Sequence, residues 1–267
     1  MTTQILSPQR RRRLSSYLVL AFALVLLGGV YSALAPSGYA QETASTDQIA
    51  KGKDLFSLNC ATCHGMDAKG GRSGGVQIPD LTNVGAAAVD FQVGTGRMPL
   101  AVIGMQAKRK TPKFSDAEIQ ALAAYVGSLG NGPGIPGADK VGQQVIDAAS
   151  VSRGAQIFSE NCAQCHNIVG QGGALTGGQA APSLQLATNT QIWEALATSP
   201  GNMPSFYAQL NDTDKADVIK YVTTIRSNFN KGGNDIGRLG PVPEGALGWV
   251  LGVGGLVVCC VWIGSRI

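Results

Sequence analysis

Residues 59–65 read NCATCHG, and residues 161–167 read NCAQCHN. These two stretches hold both histidines of the 267-residue chain, and four of its six cysteines. Working outward from them, GKDLFSLNCATCH from Gly52 answers to GAQIFSENCAQCH from Gly154. Gly52, Phe56, Cys60 and Gly154, Phe158, Cys162 recur at steps of four, which is one face of a helix. Further on, IPDL (78–81) corresponds to APSL (181–184), and GRMP (96–99) to GNMP (201–204). Each half closes on a helical pattern opened by a capping residue, Ser115 with Glu118 three residues on, and Asn211. Order, content and spacing all repeat, so the middle of the chain is a duplicated domain.

A bare CxxC fits zinc sites, dithiol redox pairs and haem attachment alike. The following histidine narrows the choice. Two cysteines three apart lie on one helical turn and can hold two thioether links to a porphyrin edge, while the next residue offers an imidazole to the iron. Zinc needs four ligands and each half offers two cysteines and one histidine; a thioredoxin-like pair needs a βαβ setting that these helical, glycine-rich segments lack. Cys60, Cys63, Cys162 and Cys165 are therefore the expected attachment sites of two haem c groups, with His64 and His166 as iron ligands.

With both histidines used, the opposite iron ligands are expected among the five methionines. Met1 is terminal, and Met66 lies too close to His64 to reach the other face. Met105 has no counterpart in the second half and reads as a loop or core residue. Met98 and Met203 occupy matching places, 34 and 37 residues after their histidines, each followed by proline.

Two apolar segments bracket the repeat. The first, Tyr17 to Ala35, follows Arg10-Arg11-Arg12-Arg13 and reads either as an anchor or as a cleaved signal, since it ends in small residues. The second, Leu247 to Gly264, carries no charge and fits a membrane helix. Along it Gly248, Gly252, Gly255 and Cys259 form a small-residue seam where another helix could approach closely. The net charge of +4 is too small and scattered to argue for nucleic acid.

On these residues the chain resembles class I cytochromes c in tandem, and over its full length the dihaem cytochrome c subunit of actinobacterial-type cytochrome bcc complexes. The resemblance implies an all-α fold, with two tandem class I cytochrome c domains between two transmembrane helices. The expected boundaries are a cytoplasmic tail 1–16, anchor or signal 17–35, first domain 48–130, linker 131–150, second domain 151–230, linker 231–246 and membrane helix 247–264. It further implies that Gly52 packs on Tyr125 and Gly154 on Tyr221, and that the carbonyls of Pro79 and Pro182 accept the histidine N–H. The implied function is electron relay from a Rieske iron–sulfur centre to the copper-containing subunit of a terminal oxidase. Implied partners are cytochrome b and Rieske subunits, with the haem domains on the extracytoplasmic side of the cell membrane. Two other readings stay open: an electron-transfer subunit of a dehydrogenase or another oxidase, and a dihaem peroxidase. Between Lys51 and Gly130 nine Lys/Arg face six Asp/Glu, and between Val151 and Asn230 four face five, balances that suit two different partners.

Overall fold

A computed structural model describes residues 17–27, 44–73, 75–102, 104, 106–227 and 241–266. The chain divides into two compact units, Met1–Gln41 and Glu42–Ile267. In the first unit Tyr17–Leu27 forms an apolar helix, α1. The expected tail 1–16, the remainder of the apolar segment to Ala35, and Met105 lie outside the described residues.

In the second unit the first half runs α2 (Thr46–Asn59), α3 (Ala61–His64), β1 (Gly71–Ser73), β2 (Val76–Ile78), α4 (Ala86–Gly94) and α5 (Asp116–Gly127). After α6 (Ala138–Val141) and α7 (Gln143–Ala148), the second half repeats the order: α8 (Val151–Asn161), α9 (Ala163–His166), β3 (Gly173–Ala174), β4 (Ala180–Ala181), α10 (Asn189–Thr198) and α11 (Asp212–Ser227). The helix starts follow local chemistry. Ser45 accepts from the Gln48 N–H and Ser150 from the Arg153 N–H, meeting donors that a first helical turn leaves unpaired. Ser115 with Glu118, Thr188 with Gln191 and Asn211 with Asp214 form reciprocal capping pairs.

Each half has its own core. Phe56, Ile119, Leu122 and Val126 lead the first; Phe158, Trp193, Leu196, Ile219 and Val222 lead the second. Phe56 and Phe158 are 2% and 1% exposed, and burying such a ring contributes roughly 1.5–3 kcal/mol. The opening and closing helices of each half cross at a glycine, which explains its place on the helix face with the phenylalanine. A Cβ on Gly52 would stand 1.9 Å from the Ala121 carbonyl oxygen and 2.8 Å from the Tyr125 Cβ. On Gly154 it would stand 2.0 Å from the Asp217 carbonyl oxygen and 3.0 Å from the Tyr221 Cβ. The aromatic pairs Phe56–Tyr125 and Phe158–Tyr221 close both crossings, with ring centroids 5.3 and 5.1 Å apart.

Three expectations need correction. The fold is mostly helical but not all-α, since β1 pairs with β2 and β3 with β4 as short antiparallel hairpins. They reverse the chain just after each CxxCH motif, and Gly71, Gly75 and Gly178 take the positive φ values such reversals favour. The stretch 131–150, expected as a bare linker, carries α6 and α7. Ile146 there is 2% exposed within the second core, and Val141, Val145 and Ala149 pack beside it; its apolar residues are too few to reveal a period. The last helix, α12, runs Pro241–Gly264 and so takes in residues assigned to the linker 231–246. Its prolines sit in the first turn, where a missing N–H costs nothing, and Glu244 there meets the positive end of the helix dipole. Among the described residues, Val242–Gly264 is the one helix long and apolar enough to cross a membrane.

The halves also touch. Helix α4 packs on α10, and Ala87 of α4, fully buried, belongs to the second half's core. The Gln106 amide brackets Ala180, donating to its carbonyl and accepting its N–H at 3.0 Å. Arg109 donates to Gln191 at 3.0 Å.

Candidate haem-binding sites

In both halves the opening helix breaks at the first cysteine. Cys60 has φ −121° and ψ −33°, and Cys162 φ −120° and ψ −34°. One further helical turn then carries the second cysteine and the histidine, with the His64 N–H donating to the Cys60 carbonyl at 3.0 Å and that of His166 to Cys162 at 2.9 Å. Gly65 and Asn167 end the turn with φ of +76° and +64°. The same loop bonds follow: Gly70 N–H to His64 and Gly172 N–H to His166, both 2.8 Å, then Leu81 to Ala68 and Leu184 to Gly170, again 2.8 Å. The repeat of the sequence is therefore a repeat of backbone geometry.

This loop brings the hairpin's end back onto the imidazole. His64 Nδ1 lies 3.2 Å from the Pro79 carbonyl oxygen, and His166 Nδ1 3.0 Å from that of Pro182. A carbonyl can only accept, so Nδ1 carries the proton and Nε2 keeps its lone pair. Burial holds both imidazoles below their ordinary pKa and so favours the neutral ring as a ligand, opposed in part by the proline carbonyl, which raises it.

None of these four cysteines is in a disulfide. Burial and then the neighbouring cysteine push the Cys60 and Cys162 thiols up to about 11. Cys63 and Cys165 are exposed. Met98 packs against the same core as Cys60. Met203 packs against the core that contains Cys162. Each half thus collects two thiols, an imidazole with a free Nε2 and a thioether around one core, and this donor set fits haem c.

A protein-family model described as "Cytochrome C oxidase, cbb3-type, subunit III" matches residues 47–126 and 149–222. The chain is 40% identical to the cytochrome bc1 complex cytochrome c subunit of Corynebacterium diphtheriae, over 96% of this chain and 95% of that one. The chain belongs to this family of cytochrome c subunits. The bc1 complex cytochrome c subunit of Mycobacterium tuberculosis (strain H37Rv) is similar to the same degree, 40% over 96% of this chain and 92% of its own. A more distant likeness, to the cbb3-type cytochrome c oxidase subunit FixPc of Rhizobium leguminosarum bv. viciae, is 29% identical over 66% of this chain and 61% of that one. In this chain the two matched regions contain the two Cys-His frames, and two cytochrome c regions imply haem c.

Sequence reasoning missed one glycine of each frame. Gly70 and Gly172 each lie six residues after the histidine, with φ of +69° and +82°. A Cβ on Gly70 would stand 2.5 Å from the Pro79 carbonyl oxygen, and one on Gly172 2.8 Å from the Pro182 carbonyl carbon. The signal was the Gly-Gly pair at the same offset in both halves. The second half's Arg153 and Asp217 were also missed, and residues 64 apart in sequence carry no joint pattern.

Proposed function

We propose that the chain is the dihaem electron-relay subunit of a respiratory quinol–cytochrome c reductase, handing electrons from a Rieske iron–sulfur centre to the copper-containing subunit of a terminal oxidase. The observation that carries this reading is the 40% identity to bc1 complex cytochrome c subunits across nearly the whole of both chains. It is supported by the duplicated frame described above.

Cys60 and Cys63 would attach the first haem c by thioether bonds, and Cys162 and Cys165 the second. His64 with Met98, and His166 with Met203, would hold the two irons. Haem c held in this way supplies a one-electron iron couple, with methionine raising its potential. Pro79 and Pro182 fix each imidazole's tautomer and orientation, Gly70 and Gly172 let the backbone approach those carbonyls, and the aromatic crossings hold the motif helix still. With a histidine and a methionine both holding each iron, substrate would find no open site, so the chain would carry electrons and make no bonds of its own. The domains would be two tandem class I cytochromes c on the extracytoplasmic side. Helix α12 and, if uncleaved, the first apolar segment would tether them and raise their concentration near cytochrome b, Rieske and oxidase partners.

The test is purification of the tagged chain from native membrane under mild conditions. Co-isolation of cytochrome b, Rieske and oxidase subunits is the expected result; a soluble dehydrogenase in their place overturns the proposal. Magnetic and visible spectra of the same sample should show two low-spin haems, whereas one high-spin haem would point to a peroxidase.

A further inference from the structure

Where α4 meets α10, two carboxyl groups face each other across the seam between the halves. Glu194 is fully buried, and neither of its carboxyl oxygens meets a protein donor. The group it approaches is the half-buried Asp90. Two ionised carboxylates are both acceptors, so their contact is a hydrogen bond only when one of them carries a proton. Asp90 already accepts from the Gln120 side-chain amide at 3.1 Å. That bond favours Asp90 as the ionised partner and leaves Glu194 to hold the proton.

We propose that Asp90 and Glu194 form a proton-binding site in the seam, where one proton shared by the two carboxyls holds α4 against α10. Burial, then the neighbouring Asp90, pushes the Glu194 carboxyl up to about 10, and burial raises Asp90 as well. The surroundings do not neutralise the pair in another way. Asp116 on α5 adds negative charge. Arg109 is engaged by Gln191, one turn before Glu194, and Arg97 stacks on Phe91. Lys140 on α6 and Lys215 on α11 lie over the Trp193 ring, with Asp212 paired to both and Asp214 a further negative charge near Lys215. Asp217 and Lys220 on α11 are paired with Arg153 and Asp147. Among the described residues, none of these cations is set against either carboxyl.

The sign of the pH effect follows. An acid whose pKa is raised in the closed seam binds its proton more tightly there than when the seam opens. The closed form is therefore strongest below the ordinary carboxyl pKa and weakens as pH rises toward about 10, by up to about tenfold in the closed-to-open ratio per pH unit.

The experiment uses the full-length, haem-loaded chain in detergent. Infrared spectroscopy is expected to show a buried carboxylic-acid C=O band at neutral pH that is absent in Glu194→Gln and titrates at lower pH in Asp90→Asn, where the amide can donate to Glu194. The protection factor of the amides at residues 86–94 and 189–198, their exchange rate set against that of unstructured amides at the same pH, is expected to fall between about pH 6 and about pH 10 in the parent. In Glu194→Gln, where a neutral amide replaces the acid, it should stay nearly flat. An unchanged infrared band in Glu194→Gln overturns the proton site. A protection factor that does not depend on pH in the parent, or depends on it equally in the variant, overturns its role in holding the seam.

Discussion

Where Gly52 meets Ala121 in the first half, Gly154 meets Asp217 in the second. The backbone approach is the same, within about a tenth of an ångström, but the chemistry beside it differs. Ala121 is a plain apolar contact, 1% exposed. Asp217 is fully buried and accepts the Ser150 N–H and the Arg153 Nε, each at 2.6 Å, with Arg153 Nη2 also 2.6 Å away. The second half therefore ties the start of α8 to α11 through a charged pair, while the first relies on packing. Duplication kept the geometry that places Cys and His and left the means of securing it free to vary.

The comparison breaks most severely at the glycines. Gly52→Val or Gly154→Val forces the crossing helices apart and should cost roughly 4 kcal/mol or more. Haem content should then drop from two per chain to one, the lost haem belonging to the altered half. Loss of both together would mean that the halves fold as one unit.

Next in size is Arg153→Met, which keeps the aliphatic stem but leaves the buried Asp217 without its countercharge. About 3 kcal/mol of stability should disappear, read by denaturant unfolding, and adding Asp217→Asn should restore most of it. No substitution at Ala121 has an equivalent partner to rescue.

The conservative pair Met98→Leu and Met203→Leu should cost under about 1.5 kcal/mol, because volume is kept. Each should still remove the methionine–iron signature from its own half only. An unchanged spectrum in either would reject that methionine as a ligand.

The smallest effect separates the two closing helices. Asn211→Ala should remove about 1 kcal/mol from the second half with little pH dependence of its own. Ser115→Ala behaves differently, because the Ser115 N–H and hydroxyl hold the Glu118 carboxyl below its ordinary pKa. A depressed acid adds stability above its unfolded pKa and loses it as pH falls through the folded value. The Ser115→Ala deficit should therefore fade in acid, as followed by thermal unfolding across the acidic range.

Much of this was legible in the sequence because it is local. Cys60, Cys63 and His64 fall within one helical turn, Gly52 and Phe56 share a face at steps of four, and Ser115 signals its helix through Glu118 three residues on. Pro79 and Pro182 became candidates through the resemblance, and the hairpins place their carbonyls at the histidines. The hairpins themselves were missed because two or three residues per strand give no alternation to read. Residues 138–148 were missed because Ile146 is buried by a core its own segment does not build.

By itself the sequence determined the duplication, the paired-cysteine and histidine motif of each half and the apolar span of α12, since each is written in identities and periods along a continuous stretch. Only the tertiary structure decided that Ala87 enters the other half's core, that Arg153 meets Asp217, and that Asp90 meets Glu194. Such contacts depend on how two separate helix faces are oriented in space, and a one-dimensional period carries no information about the partner that a face will find.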